Sequence, residues 1–264
     1  ICNWHKDVAS RLTYGTDIGT PDFAHTDCIV LWGHNPAATW LARSVEIQKA
    51  LKRGAKLVVI DPRPTLYARR ADCWLKVRPG TDQALALGIA NLMLESGTFD
   101  AEFVRQWTNA SFLVRQDTGR FLRHSDVEPQ GRADVIMAGS AESDDLLRYD
   151  PSSGQWLDPD TTETLFESRD VNAQAATVSC RSALQIFADA AAEYPPQRVA
   201  DITGVSEADL RQVVTTLTRS ASVAYYAWNG VGQSVTASQT DRAISILYGL
   251  TGHYGARGGN VPGA

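Results

Sequence analysis

The segment that most restricts the fold runs from 27 to 60. Residues 27–32 (DCIVLW) are an almost wholly apolar run of strand length. A GHNPAAT loop follows. Residues 39–53 then repeat helically, with Trp40, Ile47 and Leu51 on one stripe, and Gly54 stands where a C-terminal glycine would stop the helix. Residues 56–60 (KLVVI) are a second β-branched run, broken by Asp61-Pro62. A strand, a helix and a strand in so short a stretch imply parallel pairing through a right-handed crossover.

The same rhythm continues on both sides of an interruption. Residues 73–77 (CWLKV) predict a third strand, and Pro79-Gly80-Thr81-Asp82 a turn. Thr81 is placed to cap a helix carrying Leu85, Gly88, Ile89 and Leu92 on one face. A short helix over 100–107 and a weak strand over 111–115 follow. Past the interruption, helices are expected over 181–194 and from Ser206 to 219, with one or two turns over 198–203 between them. Ser206 and Asp209 resemble a capping box. Residues 222–227 (SVAYYA) predict a buried strand, Asn229 to Gln233 a loop, and 236–250 a helix facing Ile244, Leu247 and Tyr248 inward. The expected fold is α/β: a three-layer αβα arrangement around a mostly parallel, Rossmann-like sheet covered on both faces. No internal repeat is visible.

Composition explains the interruption. Residues 117–170 hold thirteen acids against five bases, a balance of −8 in a chain of net charge −5, so the remainder is about +3 and better suited to an anionic ligand. Residues 116–178 read as an acidic surface insertion with hairpins, one of them at YDPSSGQW. The overall charge argues against a nucleic-acid partner. No apolar run approaches the roughly 18 residues of a membrane span. Cys2, Cys28, Cys73 and Cys180 form no CxxC pair, so short spacing encodes neither a zinc nor an iron–sulfur site. Cys28 and Cys73 read as small buried hydrophobes. The five histidines show no metal-ligand spacing, and Trp40, Trp74, Tyr225 and Tyr226 read as core.

Ligands of open α/β sheets bind beyond the carboxyl ends of the strands. Four loops leave such ends: Gly33-His34-Asn35-Pro36, Asp61-Pro62-Arg63-Pro64-Thr65, Arg78-Pro79-Gly80-Thr81-Asp82, and Asn229 to Gln233. Gly33 lets backbone approach a phosphate ahead of a helix start, although many such loops need a glycine for geometry alone. Asp61 stands where an acid accepts ribose hydroxyls, but taken alone it reads more readily as a turn-former before proline. Arg63 suits a phosphate or a surface carboxylate. Asp82 has the acceptor pair that the N1–H and 2-amino donors of guanine need, or is simply an acid at a helix start.

The runs DCIVLWGHNPAATW, GAKLVVIDPRPTLYARRADCWLKVRPGTDQAL and NGVGQSVTASQTDRAISILYGLTGHYGARGGN, in that order, resemble the molybdopterin oxidoreductase family, of the dimethyl sulfoxide reductase, formate dehydrogenase and periplasmic nitrate reductase type. The resemblance covers 1–115 and 194–264 but not the acidic stretch. Ala237 stands where the family often has glycine. The resemblance implies a bis-molybdopterin guanine dinucleotide cofactor with molybdenum or tungsten and two-electron redox of a small-molecule substrate. Gly33, His34, Asn35 and Pro36 would lie along one guanine dinucleotide. Asp61, Pro62, Arg63 and Thr65 would line its nucleotide portion, and Asp82, with Pro79 and Gly80, would meet the guanine. Gly230 and Gln233 would approach the pterin. Cys2 falls near the position of a metal-ligating selenocysteine or cysteine, and so would be the metal ligand and catalytic residue; a buried thiol near a chain end is the alternative. Formate dehydrogenases usually have histidine directly after that ligand. Asn3 stands there and His5 comes later, which speaks against formate.

The resemblance also divides the chain into a dinucleotide-binding domain (1–115 and 179–232), the insertion (116–178) and the start of the next cofactor-binding domain (233–264). The chain begins at Ile1 rather than methionine and reads as an internal piece of the catalytic subunit of a bacterial enzyme. A 4Fe-4S cluster would belong to a missing amino-terminal segment. The missing amino- and carboxyl-terminal domains would complete the cradle, so the piece alone is expected to bind cofactor weakly or not at all and to be inactive. An iron–sulfur electron-transfer subunit is a further expected partner. An export signal would lie upstream, leaving bacterial cytoplasm and periplasm both open. Two other readings stand beside this one. One is a cofactor-free structural domain related to the large iron–sulfur subunit of respiratory complex I. The other is an ordinary dinucleotide dehydrogenase, against which the missing GxGxxG counts.

Overall fold

The computed structural model describes residues 4–17 and 19–262. In chain order the elements are α1 (Trp4–Tyr14), β1 (Thr20–Pro21), β2 (Cys28–Trp32), α2 (Pro36–Thr39), α3 (Leu41–Lys52), β3 (Lys56–Ile60), β4 (Cys73–Leu75) and α4 (Asp82–Glu95). Then come α5 (Ala101–Trp107), β5 (Leu113–Arg115), α6 (His124–Val127), β6 (Ile136–Gly139), β7 (Leu146–Asp150), β8 (Gln155–Trp156), β9 (Ser168–Asn172) and β10 (Thr177–Ser182). The chain closes with α7 (Ala183–Ala192), α8 (Pro196–Thr203), α9 (Glu207–Arg219), β11 (Val223–Ala227), α10 (Ala237–Leu250) and β12 (Asn260–Val261). These fall into two compact units, residues 1–100 with 191–264, and residues 101–190.

The first unit is built on a four-stranded sheet of order β11-β2-β3-β4, every pair parallel. Alternation along the strands fills both faces. Ile29, Leu31, Leu57, Val59, Ala224 and Tyr226 share one core with Ile47 and Ala50 of α3. From the other face, Tyr225 stacks on Tyr248 of α10 at 4.3 Å. Helices on both faces make the expected three-layer α/β arrangement. At the edge of β11 a side chain takes the place of backbone at Tyr225. Asn260 accepts from the Tyr225 N–H at 2.8 Å and donates to the Tyr225 carbonyl at 2.8 Å, standing in for a neighbouring strand.

Three local expectations need correction. The helix expected over 39–53 is two helices. Pro36 starts α2 a turn early, and Trp40 then leaves helical geometry at φ −150°, ψ 79° before α3 begins. Trp40 is therefore 37% exposed rather than core, its ring 5.3 Å from that of Trp228. Thr81 occupies the N-cap position of α4 without capping it, because its hydroxyl donates to the Arg78 carbonyl at 2.7 Å. The helix expected from 181 begins at Ala183, since Arg181 and Ser182 pair with Val114 and Leu113 of β5. By contrast Ser206 caps α9 as its spacing indicates, accepting from the Asp209 N–H at 3.1 Å.

The second unit holds two antiparallel sheets, β5-β10-β9 and β6-β7-β8. It takes in α5 and β5 as well as the acidic stretch. Leu113, Leu122, Met137, Val171, Val178 and Cys180 form its core. The YDPSSGQW hairpin is β7–β8, with Tyr149 opposite Trp156. Much of the acidity is paired internally: Arg132 bridges Asp134 and Asp150, and Arg148 holds Asp158. Cys28, Cys73 and Cys180 are free and buried, and burial pushes the Cys28 and Cys73 thiols up to about 12 and about 11. No described helix is long and apolar enough to cross a membrane.

Candidate functional site

Parallel strands deliver their carboxyl ends to one edge of the sheet, and a cleft of about 600 Å³ opens there. All four expected loops contribute. Gly33, Asn35, Asp61, Pro62, Arg63, Pro79, Gly80, Asp82, Gly230 and Gln233 line it. Thr39, Ile60, Val77, Trp228, Asn229 and Ser234 complete the lining. Of these six, Thr39 and Asn229 lie in loops that the sequence marks. The others belong to the lining because of tertiary placement, which no local pattern records.

Each loop has a local reason for its shape. Gly33 sits at φ +56°, a conformation that favours glycine. Its N–H continues the sheet to the Ile60 carbonyl at 2.8 Å, and its carbonyl accepts from the Gly230 N–H at 2.9 Å. The Trp228 N–H likewise reaches the Trp32 carbonyl at 3.0 Å. The loops after β2 and β11 are thus stitched together along one wall. Asp61, 4% exposed, accepts the Arg63 N–H on Oδ1 at 2.8 Å, an Asx-type turn that Pro62 stiffens. Trp74 donates to the Asp61 carbonyl at 2.9 Å and holds that loop against β4. On the third loop, the Arg78 guanidinium donates to the Ile202 carbonyl at 2.6 Å and ties the turn to the end of α8. Gly80 adopts φ +83°.

Asp82 opens α4, and its Oδ1 accepts from the Trp32 indole at 2.8 Å. Burial pushes its carboxyl above the ordinary value, and the Trp32 hydrogen bond opposes that rise. Trp32 closes β2 on the face opposite Ile29 and Leu31, which is why its ring reaches α4. The Arg63 side chain is exposed, with Nε 3.8 Å from Asp61 Oδ1, which leaves it available to an anion. Asn35 Oδ1 is buried without a partner among the described residues.

Three expected residues do not line the cleft. His34 turns inward, 1% exposed, edge-on to Tyr226 at 4.7 Å, with neither ring nitrogen partnered among the described residues. Burial, helped by the nearby Lys6 charge, pulls it down to about 3 and keeps it neutral. Pro36 is buried as the first residue of α2. Thr65 spends its hydroxyl accepting the Ala68 N–H at 3.1 Å, which caps the short 3-10 turn 68–70. Pro36 offers no N–H and α2 is a single turn, so the expected anion-binding helix start after Gly33 is weak. Cys2, the expected metal ligand, lies outside the described residues.

The lining combines the carboxylates of Asp61 and Asp82, an exposed guanidinium 3.8 Å from one of them, a buried carbonyl oxygen without a partner among the described residues, and close-approach glycines. Such a lining can meet hydrogen-bond donors and an anionic group of a ligand. The chain's residues 3–262 match the family model described as molybdopterin oxidoreductase. A Halobacterium salinarum protein named for dimethyl sulfoxide reductase catalysis is 31% identical over 241 residues, a match covering 91% of this chain and 28% of that protein. The acetylene hydratase of Syntrophotalea acetylenica is 41% identical over 108 residues, covering 40% of this chain and 15% of that protein. Acetylene hydratase from Pelobacter acetylenicus shares the fold, with a TM-score of 0.61 at 21% identity over 94% of this chain and 24% of that one. The matches therefore span between 15% and 28% of the length of these relatives. It belongs to the molybdopterin oxidoreductase family.

Proposed function

We propose that this chain is the central cofactor-binding region of an enzyme using bis-molybdopterin guanine dinucleotide with molybdenum or tungsten for two-electron redox of a small substrate. One observation carries the reading: Asp61, Asn35, Arg63 and Asp82, from three separate strand-end loops, line one cleft. Asp82 would accept the N1–H and 2-amino donors of guanine. Asp61 would accept ribose hydroxyls with the oxygen its turn leaves over, and Arg63 would meet phosphate. Asn35 Oδ1 gains in such a ligand the donor it otherwise lacks. Gly230 and Gln233 would face the pterin, and Cys2 would supply the thiolate to the metal. When bound, the metal–pterin group supplies a centre that cycles by two electrons. The protein's part is to bind it, orient it and exclude water.

Likeness to the family does not by itself fix the reaction, because similar proteins are named for reduction and for hydration. The small substrate belongs to this proposal, as do a bacterial cytoplasmic or periplasmic location, a 4Fe-4S cluster elsewhere in the same polypeptide and an iron–sulfur partner subunit. Equilibrium dialysis of the cofactor-free protein against GDP and against NAD tests the nucleotide assignment. GDP should bind and NAD should not; equal retention of both contradicts a guanine site.

A further inference from the structure

Behind the wall formed by 228–233, α1 and α10 bury polar groups that the cleft does not touch. Asp241 of α10 is 2% exposed and bonds to His5 Nδ1 of α1. The carboxylate fixes the orientation of the ring through Nδ1 and turns Nε2 toward the 228–233 segment. That nitrogen is buried and has no partner among the described residues. The ring lies directly on Gly232, where a Cβ would overlap Nε2 and come within 2.6 Å of Cδ2. The next residue, Lys6, is 5% exposed and donates to the Ala227 carbonyl at 2.5 Å. Its ammonium lies 4.8 Å from the Tyr226 ring centre and 5.3 Å from that of Trp228.

So α1 touches both ends of the segment that leaves β11. Lys6 holds the strand end, and His5 lies under Gly232 beside cleft-lining Gly230 and Gln233. The opposite side of that segment is sewn to the loop after β2 through Gly230 and Trp228. The wall is set from two directions, one by backbone hydrogen bonds and one by the imidazole that fills the space Gly232 leaves.

We propose that His5, oriented by Asp241, is a positioning residue that sets the Gly230–Gln233 wall of the cleft, with Gly232 its required complement. His5 acts through the loop: it lies against Gly232 and is not among the residues that line the cleft. The contact stands on its own; only its consequence for cofactor rests on the function proposed above.

Amide hydrogen exchange of the purified protein, followed by peptide, tests it. His5→Ala and Asp241→Asn should accelerate exchange in 228–234 on the order of tenfold while the peptides of β3 and β11 keep their protection. Gly232→Ala should do the same. In the double variant Gly232→Ala with His5→Ala, the new methyl occupies the vacated space, and protection of 228–234 should return toward wild type. Unchanged exchange in 228–234, equal acceleration of all peptides, or additive damage in the double variant overturns the proposal. Should His5→Ala not fold, the milder Asp241→Asn decides by the same criterion. Bound cofactor is measured in parallel. If exchange changes as stated while cofactor content does not, the positioning stands and the pterin reading of this wall fails.

Discussion

Gly33 and Gly230 meet backbone to backbone: the Gly230 N–H donates to the Gly33 carbonyl at 2.9 Å, and a Cβ on Gly230 would lie 2.6 Å from that oxygen. A Cβ on Gly33 would in turn lie 2.9 Å from the Val231 nitrogen. Two loops separated by nearly 200 positions in sequence close one wall of the cleft because neither carries a side chain there.

Replacing either glycine with alanine should therefore cost about 1–3 kcal/mol, from overlap at both positions and from positive φ at Gly33. Gly80→Ala is the control. Gly80 also has positive φ, but a Cβ there meets nothing within 4 Å, so only the conformational cost of roughly 1 kcal/mol applies. Urea denaturation midpoints give the order. A Gly80→Ala variant as damaged as Gly33→Ala would contradict the close approach.

Asp82 predicts opposed effects on stability and binding. Its folded carboxyl titrates above the unfolded one because it is buried. Stability from this group is therefore present at low pH and is lost as pH rises through that window. Asp82→Asn should stabilise the cofactor-free protein at neutral pH while weakening GDP about 10- to 100-fold, the loss expected for hydrogen bonds to a charged acceptor. Binding should weaken in acid as the carboxyl protonates. Trp32→Phe removes the donor that opposes the rise, so the acid limb should move to higher pH. Calorimetric titration across pH checks both variants, and an acid limb unmoved in Trp32→Phe would remove the role given to the indole.

His34 predicts acid lability. Below about 6.5 the unfolded chain takes a proton that the folded histidine refuses until about 3. Stability therefore falls with falling pH across that window, approaching about 1.4 kcal/mol per pH unit from this one group. His34→Phe keeps an aromatic ring beside Tyr226 and removes two partnerless nitrogens. It should flatten the dependence of unfolding free energy on pH between 6 and 4 by about one proton. An unaltered slope would show that the imidazole is not held neutral.

The strand–helix–strand unit, its parallel sheet and the four strand-end loops are legible in the sequence, because apolar runs, β-branched residues and glycines act locally. Ten of the residues singled out from it share one cleft. What the sequence conceals depends on where side chains turn. Nothing near Thr65 announces that its hydroxyl caps a turn, and nothing near His34 that it faces inward. The split at Trp40 reflects packing near Trp228, far along the chain. The Trp32–Asp82 bond and the His5–Asp241–Lys6 cluster join residues between 50 and 236 positions apart, beyond any periodicity.

A guanine-tipped pterin held by Asp82 is tested most directly by what the purified protein releases when denatured in acid. Guanine nucleotide is read by mass spectrometry and metal by plasma emission, from wild type and from Asp82→Asn. Wild type, purified as the full-length enzyme that contains this region, should release GMP together with molybdenum or tungsten, in the two-to-one ratio of a bis-dinucleotide cofactor, and the full-length variant should be depleted of both. Metal without GMP, or an Asp82→Asn protein as rich in GMP as wild type, would contradict the assignment.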